Sequence, residues 1–419
     1  MTKLQGSADE QFGAAPHERP VPRISIQAFC EFPDTGAALQ RAGADRRLSK
    51  ANLSVQLGGI QAAVEQHSGQ VTPNLLIVET RLQGKAALEE IDRLAEVCDP
   101  SSKVVVIGRV NDVELYRELM RRGVSEYLVA PLNPLHVIEI ISGLYLNPDA
   151  PPVGRIMSFI GCRGGAGSST LAHNVAWTIA ERLKINTTLV DLDLSFGTAG
   201  LNFNEEPGQG IAEALSAPER LDDVLLDRLL LKATDHLSLF AAPAMMDRVF
   251  DADPAAFESI IDIVRQSTPC VVLDLPHQWN LWIRQTLLAS DEIVIVATPD
   301  LPSLRTAKAV VDLVKQSRPN DPAPKLVMNQ IGVPKRPEIP VKDFAATVGL
   351  TPIMLFPFEP QLYGAAANNG QMLIEVQPKS ATADSIMRLA QVVTGRATSA
   401  ETEKNISPLL SILKGRKQA

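Results

Sequence analysis

Four cysteines, at positions 30, 98, 162 and 270, are all that 419 residues contain, and no two of them form a C-x-x-C pair. Such scatter argues against a disulfide framework and against a cysteine-ligated zinc or iron–sulfur site, and leaves buried, reduced thiols as the expectation. Aromatic residues make up only 5%, and no tyrosine follows Tyr363, so a tyrosine-rich regulatory tail is excluded. No apolar run reaches the roughly 18 residues that a spanning helix needs, and no signal-peptide pattern opens the sequence, so a cytoplasmic chain is expected. Positive charge is short as well. Forty Lys and Arg against 48 Asp and Glu leave a formal charge of −8, which argues against a generally basic nucleic-acid-binding surface and favours protein partners.

What is present is a composition of soluble globular type, 45% apolar and 21% charged. Single cores stop growing near about 250 to 300 residues, so two domains are expected. Residues 1–20 lack periodicity and read as a disordered tail. Residues 21–148 alternate short β-branched runs with amphipathic stretches, and strands are expected at Ile24 to Phe29, Leu75 to Glu79, Val104 to Gly108 and Glu126 to Val129. The stretch Asn147-Pro148-Asp149-Ala150-Pro151-Pro152 reads as a linker. Residues 153–395 alternate again, with strands at Ile156 to Ile160, Thr187 to Asp191, Cys270 to Asp274, Glu292 to Ala297, Lys325 to Met328 and Ile353 to Phe356. The fold class is α/β, with two doubly wound parallel-sheet domains. Residues 396–419 form a second tail.

One further absence is the most informative. Residues 161 to 170 read Gly-Cys-Arg-Gly-Gly-Ala-Gly-Ser-Ser-Thr, between a strand-like run and an apolar helical stretch from Leu171 to Leu183. That is a phosphate-binding loop in its proper context, except that Ser168 stands where G-x-x-x-x-G-K-[ST] has lysine. Gly164, Gly165 and Gly167 let backbone N–H groups turn inward, and the helix behind them adds its positive end. Ser169 takes the metal-hydroxyl position and Thr170 follows. Losing one cation about 4 Å from a phosphate forfeits up to roughly 4 kcal/mol at an effective dielectric near 20. Arg163 is the candidate replacement. The alternative is a glycine turn that caps a helix and holds no ligand. Asp191 and Asp193 follow Thr188-Leu189-Val190, and Asp274 follows Val271-Val272-Leu273. Strand-end carboxylates beside a loop hydroxyl can hold Mg²⁺ with most of its waters.

Taken together, the segments from Arg163 to Thr170, Leu189 to Asp193 and Val271 to Pro276 resemble the MinD/ParA family of deviant-Walker P-loop ATPases, over roughly residues 153 to 395. The resemblance implies ATP and Mg²⁺ as cofactors, with residues 164–170 on the phosphates. It implies Ser169, Asp191 and Asp274 near the metal, Asp193 positioning the attacking water, and Asn329 beside adenine with Pro357 to Pro360 near the base. Arg163 occupies the position of a signature lysine that reaches across a dimer of ATP-bound subunits. With neither lysine in place, the expectation is ATP-dependent dimerisation with slow hydrolysis, or binding alone.

Residues 23 to 146 resemble a response-regulator receiver in which every chemical position is altered. Ala28-Phe29 stand near the acidic pair, Glu79 at the phosphoacceptor, Gly108 at the hydroxyl, and Ala130 at the lysine before Pro131. Without the acidic pair and the lysine, phosphorelay chemistry is not expected. Glu79 reads as a solvated strand-end residue, with mimicry of a phosphorylated state as the alternative, and residues 126 to 146 as a docking or dimerisation surface. In the tail, Ile406, Leu409, Leu410 and Leu413 fall at helical spacing before a basic cluster. That pattern fits a weak contact with the inner membrane, or a partner-docking helix.

A degenerate receiver fused to a MinD-like domain with a lysine-less loop resembles the CpaE/TadZ family of type IVc (Tad/Flp) pilus-assembly proteins. That implies a cytoplasmic, often polar localisation factor that recruits components of the pilus secretion machine, including its motor ATPase. Two readings compete: a DNA-binding partitioning ATPase, disfavoured by the acidic balance, and a response regulator with an ATPase output, disfavoured by Glu79, Gly108 and Ala130.

Overall fold

Runs of Val, Ile and Leu with no polar interruption can only be strands if both faces of their sheet are covered. The computed structural model describes residues 21–145, 153–206, 208, 210–241 and 253–397. The expected tails and linker, including the amphipathic pattern from Ile406 to Leu413, lie outside these residues, apart from 396 and 397. The chain divides into two compact units, each with its own sheet.

The smaller unit is a five-stranded parallel sheet of β1 (Ser25–Cys30), β2 (Asn52–Leu57), β3 (Leu75–Glu79), β4 (Lys103–Gly108) and β5 (Glu126–Val129), in the order β2-β1-β3-β4-β5. Alternate residues serve opposite faces. Ile26, Ala28, Ile77, Val105 and Ile107 pack with Leu39, Val137 and Ile141 of the helices Pro33–Gly43 and Pro134–Tyr145. Phe29, Leu76, Val78 and Val106 pack on the other side against Ile60, Ile91 and Leu119, from three further helices. The periodicity predicts four strands here. The fifth, β2, is an edge strand whose Asn52, Ser54 and Gln56 are exposed, so it never reads as an apolar run. Cys30 is buried as expected, but Cys98 is only half-buried.

The larger unit holds β6 (Arg155–Gly161), β7 (Thr187–Asp191), β8 (Leu231–Lys232), β9 (Leu237–Phe240), β10 (Cys270–Leu275), β11 (Glu292–Ala297), β12 (Lys325–Ile331) and β13 (Met354–Pro357). Their order is β13-β12-β11-β6-β10-β7-β9-β8, parallel except for β8 against β9. The short β8 and β9 are not anticipated by the sequence pattern. Met157, Phe159, Leu189 and Val272 face the helices Ser168–Leu183 and Ala381–Val393, while Ile156, Val190, Val271 and Leu273 face those at Pro254–Ser267, Leu281–Ala289 and Leu301–Ser317. β10 lies between β6 and β7, and its Asp274 is in register with Asp191. The loop after β6 and both carboxylates therefore meet at the carboxyl end of one sheet, where ligands bind in open α/β folds. Among the described residues no helix is long and apolar enough to cross a membrane.

Candidate functional site: a phosphate loop over a buried carboxylate pair

Gly165 and Gly167 hold φ of +76° and +88°, a left-handed conformation that costs glycine little and other residues more. At Gly167 a Cβ would also overlap the Asn329 amide. The helix Ser168–Leu183 that follows has no side-chain cap, so first-turn N–H groups are available to an anion. Gly164 is exposed, and Ala166 and Ser168 are buried. The Ser168 hydroxyl has no hydrogen-bond partner. Ser169 and Thr170 are half-buried in the same turn.

β12 braces this loop. Asn329 Nδ2 donates to the Ala166 carbonyl (2.9 Å), and Gln330 Nε2 to that of Gly165 (2.7 Å). The Asn329 oxygen accepts from the Gln330 N–H (2.9 Å), so both ends of the amide are engaged beneath the loop. A cavity of about 320 Å³ opens beside it, bounded by Gly165, Gly167 and Thr170 on one side and by Pro357, Phe358, Pro360 and Tyr363 on the other. The Tyr363 hydroxyl is buried without a partner, and its pKa is raised by burial and then by the Glu359 charge.

Under the loop, Asp191 and Asp274 are both 2% exposed. Asp191 accepts from the amides of Asp193 and Ala199 (both 3.1 Å). Asp274 Oδ1 has no partner, and Asp274 Oδ2 lies 3.2 Å from Nε2 of the fully buried His173, without hydrogen-bonding geometry. Burial, and then the neighbouring Asp274 charge, push the Asp191 pKa up to about 6. An orphaned carboxylate oxygen next to a second buried carboxylate is an arrangement that a divalent cation would satisfy. Asp193 is half-buried and accepts from the Phe196 N–H (3.0 Å), closing the turn after β7.

An acid whose pKa is raised by folding binds its proton more tightly when folded, so the stability it confers is full below the unfolded pKa and lost as pH rises through the folded one. In chelated protein Asp191 should therefore cost stability between pH 4 and about 6, by up to roughly 3 kcal/mol. Denaturant melts should show a smaller loss over that window for Asp191→Asn than for wild type. Equal losses would mean that the pair is not a charged, dry unit.

Arg163 is half-exposed and held within its own chain, with Nη1 2.9 Å from Asp300 Oδ2. Burial opposes ionisation of Asp300, but Thr298, Ser303 and Arg163 together keep its carboxyl below the ordinary range. Sequence reasoning missed Asp300, His173, Gln330 and Tyr363. Asp300, Gln330 and Tyr363 reach the site from distant segments, and only His173, in the second turn of the helix after the loop, left a local signal.

In the smaller unit the reading of Glu79 as a solvated residue is overturned. Its side chain is fully buried and accepts from the N–H groups of Glu31 (2.8 Å) and Phe32 (3.1 Å) and from the Thr35 hydroxyl (2.8 Å), so it ties the turn before the helix Pro33–Gly43, and that helix's first turn, to the end of β3. Arg109, 3.9 Å from Glu79, stacks on Phe32 at 3.8 Å. Any Cβ at Gly108 would overlap the Tyr127 ring. Glu79→Gln removes the charge from these bonds and should cost about 3 kcal/mol. Hydrogen exchange over residues 25–43 is the measurement, and unchanged protection would contradict this role.

No family model matches the chain. It is 52% identical to the crystal structure of the pilus assembly protein CpaE from Caulobacter crescentus, over 31% of this chain and 98% of that one (TM-score 0.30). It is 24% identical to a ParA family ATPase from Chlorobium tepidum, over 57% of this chain and 99% of that one (TM-score 0.52). A third match is the septum site-determining protein MinD from Pyrococcus horikoshii, complexed with Mg-ADP. It is 19% identical over 57% of this chain and 96% of that one, with a TM-score of 0.50.

Proposed function

Because the chain belongs to the CpaE family of pilus-assembly proteins, we propose that it is a nucleotide-controlled scaffold of a pilus secretion machine. It binds ATP with a divalent cation in its larger unit, pairs with a second copy in that state, and hydrolyses slowly or not at all. The observation that carries this reading is a phosphate loop whose backbone is intact while its lysine position holds a buried serine.

Gly164 to Thr170 take the phosphates, and the 320 Å³ cavity receives the nucleoside. Ser169, Asp191 and Asp274 hold the cation, which neutralises phosphate charge when bound. Asn329 braces the loop through one Nδ2 hydrogen and, from the wall of the cavity, offers the other to the base. Asp193 sits where a carboxylate can orient water. Arg163 must leave Asp300 before it can reach a partner's nucleotide, so pairing and loss of that ion pair are coupled. Exposed apolar residues support an association face here. Leu301 follows Asp300, and Trp279 borders a groove of about 520 Å³ with Gly161, Cys162 and Arg305.

The smaller unit docks or dimerises and accepts no phosphoryl group. Its Val129 and Leu135 are exposed on the segment expected to do so. Other machine components, including the motor ATPase, are the partners, at a cytoplasmic and polar location with weak inner-membrane contact through the C-terminal tail. Calorimetry with Mg²⁺ should find ATP binding with a Kd of about 10 to 100 µM and little phosphate release. Absence of ATP binding at millimolar concentration would overturn the proposal.

A further inference from the structure

His173 has no part in the nucleotide reading, yet it projects from the second turn of the loop helix into the carboxylate pair. It is fully buried, and its Nε2 has no hydrogen-bond partner. One ligand atom each from His173, Asp191 and Asp274 lie within 4.8 Å of one another. The Asn202 amide meets Nδ1 at 2.8 Å. Its Nδ2 donates to Nδ1 and to Thr198 Oγ1 (3.3 Å), so the ring proton sits on Nε2, facing Asp274. A cation would displace that proton, and turning the amide so that its oxygen accepts from Nδ1–H would hold the ring as outer-shell partners hold metal-bound histidines. Asp191 is oriented by two backbone amides.

Mg²⁺ accounts for the carboxylates but not for the nitrogen, because it takes oxygen ligands and retains water. One imidazole with two carboxylates is a donor set for a divalent transition ion, and three protein ligands with an open position match Zn²⁺. We propose that His173, Asp191 and Asp274 form a site for a divalent transition ion of the Zn²⁺ class, ligated directly by the protein and filled without nucleotide. The site shares Asp191 and Asp274 with the cation of the ATP reading and goes beyond it by adding His173; ion and nucleotide are measured separately, so either can fail alone.

The test is titration of chelated full-length protein with Co²⁺ in the absence of nucleotide. One equivalent should bind with visible absorption of a low-coordinate ion, Zn²⁺ should displace it, and a hundredfold excess of Mg²⁺ should not. His173→Gln, which retains hydrogen bonding but not the ligand, should weaken Co²⁺ binding at least tenfold, with an unchanged melting profile of the chelated protein. Asn202→Ala should weaken it less, and serves should the histidine variant not fold. Mg²⁺ displacing Co²⁺ at comparable concentration, or Co²⁺ affinity unaltered in both variants, would overturn the assignment. ATP binding with no Co²⁺ site would sink this inference alone.

Discussion

Ser168→Lys should raise ATP affinity by ten- to a hundredfold. The position opens the helix Ser168–Leu183 directly behind the glycines, and its native hydroxyl is buried without a partner. A cation about 4 Å from a phosphate is worth up to roughly 4 kcal/mol at an effective dielectric near 20, of which desolvating the ammonium takes back a part. Calorimetry with ATP and Mg²⁺ reads the gain, and phosphate release should rise with it. Unchanged affinity would mean that this loop does not hold a phosphate.

Gly167→Ala should abolish nucleotide binding and leave the smaller unit intact. Two independent obstacles meet at that residue. Its φ of +88° carries a penalty of roughly 1 to 2 kcal/mol for an alanine, and the added methyl has no room beside the Asn329 amide. Relief requires that amide to move, which would release its bond to Ala166 and with it the loop. Loss of ATP binding by at least a hundredfold, with native circular dichroism, is the expected result. Retained affinity would show that the loop is not braced from β12.

The architecture was legible wherever strands are covered on both faces. β3, β7 and β11 span the residues expected for them, each built around an uninterrupted apolar run. β2 was not, because an edge strand with Asn52, Ser54 and Gln56 exposed has no continuous apolar run to detect. The glycine loop could be read because its chemistry is local: spacing alone brings the glycines, the hydroxyls and the helix start together. Interactions across the sheet could not. Nothing near Arg163 in sequence announces Asp300, and nothing in the strand ending at Glu79 announces that the N–H groups of Glu31 and Phe32 await its carboxylate. His173 was present in the sequence, but its meaning depends on Asp274 and Asn202, which arrive from other segments.

The most direct test of the central claim is the mass of the full-length protein by light scattering with Mg²⁺, in the presence of ATP and then of ADP. The account predicts twice the 45.3 kDa chain mass with ATP and a return toward the single chain with ADP. A mass that is the same in both nucleotides would contradict it.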